Sequence, residues 1–131
     1  TLKNTLKMNL NGADNLGLEY FKLSEFDSPD EPGSAINMDA DFLTDLDEAR
    51  DRAGIPFRIN SGYRTKSHNA YVGGRVGSAH LKGLAADIGY SGSRERYLIL
   101  SALMSVGFCR FGFSKTFIHV DSKKLIKLKI T

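Results

Sequence analysis

Ser78-Ala79-His80-Leu81-Lys82-Gly83-Leu84-Ala85-Ala86-Asp87 carries the chain from a polar loop into an apolar run that ends at Tyr90. Residues 75–82 read as loop and 84–90 as a largely buried strand. Gly83 lets the backbone turn back, so that a loop histidine and a strand aspartate can meet at one point. Ala85 and Ala86 are small enough for neighbouring elements to approach closely around that aspartate. Downstream, Phe117-Ile118-His119-Val120-Asp121 reads as a second strand, with His119 and Asp121 on one face because side chains alternate with period two. A catalytic zinc ion takes nitrogen and oxygen ligands in a tetrahedron and keeps the fourth position for water. His80, Asp87 and His119 would supply two imidazoles and one carboxylate. On spacing alone a second reading stays open: hydrogen-bonded or surface histidines, with Asp87 opening a turn and Asp121 ending a strand. The pattern is not the helical H-E-x-x-H of many zinc sites.

Outward from this stretch, the clearest helix spans 38–53. Met38, Phe42, Leu46, Ala49 and Ala53 recur at three- and four-residue steps as one apolar stripe. Asn37 is the expected N-cap, Asp39 and Asp41 suit the first turn, Arg50 and Arg52 the last, and Gly54-Ile55-Pro56 the stop. Residues 56–60 read as a strand leading into Ser61-Gly62-Tyr63-Arg64, and a short helix starts at Thr65 and ends at Gly73-Gly74. Ser93 is the expected cap of a further helix that runs to about Val106 and stops at Gly107. Residues 108–111 and 116–121 read as short strands around a Gly112-Phe113-Ser114-Lys115 turn. Near the ends, Leu6, Met8 and Leu10 alternate with polar residues, which suggests a short strand before the Asn11-Gly12 turn, and Ile126, Leu128 and Ile130 alternate with lysines, which suggests an edge strand. The loop Asp27–Ser34, with two prolines and a glycine, excludes regular structure. The expectation is one α+β domain over 1–131, a small antiparallel sheet packed with helices, with the site on the sheet and its adjoining loop.

Composition bounds the function. The 131 residues are 41% hydrophobic and 25% charged, the balance of a globular domain, so wholesale disorder is excluded. No apolar run approaches the ~20 residues of a membrane helix. A net charge of +3 is too small for a dedicated nucleic-acid binder. The single Cys109 excludes an internal disulfide and a cysteine-built metal site, and its flanks suggest a small buried hydrophobe. His68 lies in the short helix at a spacing that carries no metal meaning. The chain starts at Thr1 without a secretory signal, so an upstream segment is a possibility.

The run from Ser78 to Asp87 has the form S-x-H-x-x-G-x-A-x-D and resembles the signature of zinc D-alanyl-D-alanine carboxypeptidases and related peptidoglycan peptidases. This group is also similar to the D-alanyl-D-alanine dipeptidases and to the amino-terminal domain of hedgehog proteins. Further segments resemble it in order: Phe21–Phe26, Ile59-Asn60-Ser61-Gly62-Tyr63-Arg64-Thr65, His68-Asn69-Ala70-Tyr71-Val72-Gly73-Gly74 and Phe117–Asp121. The resemblance covers roughly 18–122. It implies zinc on His80, Asp87 and His119. It also implies that Arg64 polarises the scissile carbonyl or holds a substrate carboxylate, and that Ser78 binds substrate, bonds Asp87 or shapes the loop.

One departure stands out. Many of these peptidases place an acid three residues before the last histidine as the base for the attacking water, and here that position is Thr116. The nearest substitute is Asp121, as general base or as the group that orients His119. The expected function is therefore a zinc peptidase acting on a peptidoglycan stem peptide, as a D,D-carboxypeptidase or an endopeptidase. Such a protein works in the periplasm or outside the cell, or is phage-encoded and acts on the wall. The alternative is a non-catalytic, metal-dependent muropeptide-binding module or a phage structural module. Oligomeric state is not legible.

Overall fold

The computed structural model describes residues 17–122, so the short strand expected near the start of the chain and the edge strand expected near its end lie outside the described residues. Three helices, α1 (Ala40–Ala53), α2 (Lys66–Tyr71) and α3 (Gly92–Val106), accompany four strands, β1 (Arg58–Ser61), β2 (Ala85–Gly89), β3 (Phe111–Phe113) and β4 (Phe117–Asp121). The strands form an antiparallel sheet in the order β1-β2-β4-β3, as the α+β reading expects. Short 3₁₀ turns occupy Leu23–Phe26, Ser34–Asn37 and Ala79–Lys82, the last inside the segment read from sequence as loop.

The core lies between α1, α3 and one face of the sheet. Phe42, Leu43, Leu46 and Ala49 of α1 are buried with Ile99, Ala102 and Leu103 of α3. Ala86 and Ile88 of β2 and Ile118 and Val120 of β4 join them from the sheet. Each large aliphatic side chain removed from water in this way contributes about 1.5–3 kcal/mol. Phe42 meets Phe108 edge-on at 5.7 Å, and Phe21 meets Phe26 at 5.1 Å. Buried Asp47 accepts the backbone N–H groups of Glu19 and Tyr20 at 2.9 Å each, which fastens the segment before the first turn onto α1.

Several boundaries differ from the sequence reading. The N-cap of α1 is Asp39, whose Oδ2 accepts the Phe42 N–H at 2.9 Å. Asn37 instead ends a 3₁₀ turn, and its side-chain amide donates to the Ser34 carbonyl. Helix α3 starts at Gly92 with Ser91 as its cap residue, and the Ser91 N–H is taken up by the Glu95 carboxylate at 2.8 Å. Strand β1 begins two residues later and ends one residue later than expected, with an irregularity between Ile59 and Ser61. Strand β3 begins only at Phe111, because the Phe108 N–H closes the end of α3 on the Leu103 carbonyl. Gly112, expected in a turn, is a strand residue paired with His119, and a Cβ there would stand only 3.4 Å from the His119 Cβ.

The ladder divides residues between the two faces. Ala85, Asp87 and Gly89 of β2 pair with Asp121, His119 and Phe117 of β4, away from the core side held by Ala86, Ile88, Ile118 and Val120. Ser61 on β1 pairs with Asp87 and so joins the same face.

Candidate metal centre

Three segments converge on that face. His80 comes from the 3₁₀ turn before β2, Asp87 from the middle of β2 and His119 from the middle of β4. Ser78 caps the turn by accepting the His80 N–H on Oγ at 3.1 Å, so its contact here is with the loop backbone. Gly83 closes the turn at φ +71, where a Cβ would lie 2.2 Å from the Asn37 carbonyl oxygen. Only glycine combines that left-handed backbone with so close an approach.

The His80 ring is fixed by its Nδ1, 2.7 Å from the Gly62 carbonyl oxygen. A carbonyl can only accept, so Nδ1 carries the proton and the neutral ring leaves a lone pair on Nε2. That Nε2 is buried and makes no hydrogen bond, although Asp87 Oδ1 is 3.3 Å away. Two electron-rich atoms facing each other out of water are an unfavourable arrangement unless a cation lies between them. His119 Nδ1 approaches the same Asp87 oxygen at 2.9 Å. Donors held tetrahedrally at about 2.0–2.1 Å from one ion are separated by roughly 3.3 Å, so this spacing suits a metal. One donor atom from each of the three residues lies within 4.8 Å of the others, the arrangement of a metal-holding group. The residues present therefore fit a divalent ion with two nitrogens and one oxygen.

The electrostatics agree. Burial works against the Asp87 charge, but the hydrogen bond from His119 favours it, and the carboxyl is held well below the usual range. His119 is shifted upward, first by its bond to Asp87, against the opposing effect of burial, with Asp121 adding to the shift. The two carboxylates thus favour positive charge at His119, a demand that a bound cation also meets.

A family model described as peptidase M15 matches residues 19–121. The chain belongs to the peptidase M15 family. The match spans every element that builds the centre, and peptidases of this family depend on a metal, in keeping with the His-Asp-His group. No curated protein matches the chain.

Around this M15 centre, a pocket of about 930 Å³ is lined by Arg64, Ser78, Lys82, Cys109, Arg110 and Asp121 among others. Arg64 is held from three sides: Nε donates to Ser61 Oγ at 3.1 Å, Nη1 to Asn69 Oδ1 at 3.1 Å, and Nη2 lies 3.4 Å from Asp87 Oδ2. Asp121 Oδ2 lies 3.3 Å from His119 Nε2, and Asp121 Oδ1 accepts from Arg110 Nε at 2.8 Å. Cys109 is exposed at this pocket, which corrects the expectation of a buried hydrophobe; the side chain that turns inward there is that of its neighbour Phe108. His68 stands apart, stacked on Tyr71 at 6.2 Å between ring centroids.

The sequence patterns do not single out Asn69 or Arg110. Buried Asn69 ties Arg64 to the loop after α2, since its amide also donates to the Arg75 carbonyl at 2.8 Å. A polar residue inside the short helix, five positions from Arg64, was the available signal. Arg110 offered none, because its contact with Asp121 follows from the β3–β4 hairpin register, which the turn expected at Gly112-Phe113-Ser114-Lys115 misplaces.

Proposed function

We propose that this M15 peptidase is a zinc enzyme that hydrolyses a peptide bond in bacterial peptidoglycan stem peptides, of the D,D-carboxypeptidase or endopeptidase type. The observation that carries the reading is His80 Nε2, buried without a hydrogen bond and directed at the oxygen that His119 also approaches. His80, Asp87 and His119 would hold the zinc, which would supply a Lewis acid for the scissile carbonyl and for the attacking water.

The remaining steps belong to the protein. Arg64, fixed by Ser61 and Asn69, keeps a planar cation beside Asp87, where it stabilises negative charge growing on the carbonyl oxygen. Of the two roles open to Asp121, the geometry supports orientation of His119, because one carboxylate oxygen faces Arg110 and the other faces the ring. Ser78 shapes the turn that presents His80 and stands at the pocket wall within reach of a substrate. Arg64, Arg75, Lys82 and Arg110 all line the pocket, which suits a stem peptide rich in carboxylates. Such a substrate places the working protein at the cell wall.

A second reading, muropeptide binding without cleavage, rests on Thr116, an exposed residue in the turn before β4 where an acid would be expected. Elemental analysis of the purified protein, followed by assay of D-alanine or stem-peptide release from purified sacculi, separates the two. Zinc with release supports the peptidase; zinc and muropeptide binding with no release supports the binding module; a protein that takes up no zinc overturns both.

A further inference from the structure

Arg110 lies outside the metal-holding group, yet it closes a continuous chain of contacts that ends there. Its Nε donates to Asp121 Oδ1 at 2.8 Å, Asp121 Oδ2 lies 3.3 Å from His119 Nε2, and His119 Nδ1 lies 2.9 Å from Asp87 Oδ1. The main chain repeats the link, since the Asp121 N–H donates to the Arg110 carbonyl at 3.3 Å. The two partners differ sharply in environment: the Arg110 side chain is 57% exposed and that of Asp121 only 9%.

An ion pair with one partner this exposed contributes little to folding. Its geometric effect is larger. A carboxylate that is not anchored can rotate about its last side-chain bond and offer either oxygen in several directions. An imidazole can present either nitrogen to a metal, and the choice follows the hydrogen bond made by the other.

We propose that Arg110 is a positioning residue for the metal centre. By holding Oδ1 of Asp121 it leaves Oδ2 as the acceptor of the His119 Nε2–H, which commits Nδ1 of His119 to the metal. The inference rests on the reading of His119 as a zinc ligand. It does not depend on whether the protein cleaves or only binds its peptide.

The test uses the full chain with R110Q, R110K, D121N and the R110Q/D121N double variant. Zinc affinity is measured by competition with a chromophoric chelator, and the protonated nitrogen of His119 in the zinc-loaded protein is identified by long-range ¹H–¹⁵N correlation. R110Q is expected to weaken zinc by about tenfold, the lower end for a group acting through a ligand's partner, and R110K to recover most of the loss. The double variant is expected to bind zinc no more weakly than D121N alone, because Arg110 acts through Asp121. The wild-type spectrum is expected to show the His119 proton on Nε2.

Unchanged zinc affinity in R110Q overturns the proposal, including the case where KM alone rises and Arg110 is a substrate contact. Losses that multiply in the double variant overturn it as well, as does a His119 proton on Nδ1. Failure of the peptidase reading has a different signature, namely tight zinc binding that responds to R110Q in a protein that releases nothing from sacculi.

Discussion

Asp87 and His119 are direct cross-strand partners in the β2–β4 ladder, and their side chains meet at 2.9 Å. Two of the three candidate ligands are thus spaced by the hydrogen bonds of the sheet itself, with His80 delivered from the turn that leads into β2. Three ligands leave no redundancy. His80→Ala, Asp87→Ala and His119→Ala are each expected to abolish stoichiometric zinc binding, read by elemental analysis after dialysis. One zinc per chain retained in all three variants would remove the site assignment.

Arg64 makes three directed contacts that a lysine cannot reproduce. Arg64→Lys should leave zinc content near one per chain and lower kcat on stem peptides. An unchanged kcat would take Arg64 out of the chemistry.

Asp121→Asn separates the two roles of this carboxylate. As the group that orients His119, its loss weakens zinc by about 10–100-fold, and excess zinc restores activity. A general base would behave in the opposite way, with zinc binding intact and turnover lower by roughly 10²–10⁴-fold at saturating zinc. Activity of the variant assayed at low and at high zinc decides, and the orienting role predicts recovery at high zinc.

The shifts at the Asp87–His119 pair set a pH dependence for the metal-free protein. His119 is raised, so its contribution to stability is complete below about 6.5 and is lost as pH rises through the folded value. Asp87 is lowered, so its contribution is present above about 4 and is lost as pH falls toward its folded value. The pair stabilises the metal-free protein most between those limits. Zinc needs His119 without its second proton, so zinc binding strengthens across the range in which the metal-free pair weakens. The rise in Tm on adding zinc should therefore grow from pH 5 to pH 8. A rise that shrinks over that interval would contradict the pairing.

Much of this was legible in the chain. The stripe Phe42, Leu46, Ala49 and the stop at Gly54 specify α1 because helix periodicity and capping are local. The three candidate ligands were legible through the resemblance of the continuous segments Ser78–Asp87 and Phe117–Asp121 to a known family, where spacing alone left a second reading open. What stayed hidden depends on partners that only the folded backbone selects. Asn37 and Asp39 are both good caps by type, and the 3₁₀ turn at Ser34–Asn37 decides between them. Phe108 resembles a strand residue until the core claims its ring and α3 its N–H. Arg110 becomes informative only once residues 110 and 121 are neighbours.

The division of the β2–β4 ladder into two faces has a consequence for how this protein can change. Ala86, Ile88, Ile118 and Val120 answer to the packing of the helices, while Asp87, Phe117, His119 and Asp121 between them answer to whatever sits in the pocket. A substitution on the first set lowers the folded population and leaves each surviving molecule competent; one on the second alters what every folded molecule binds. Because the two sets alternate without sharing a contact face, the pocket side can be redesigned residue by residue, for a different metal or a different peptide, on an interior left untouched.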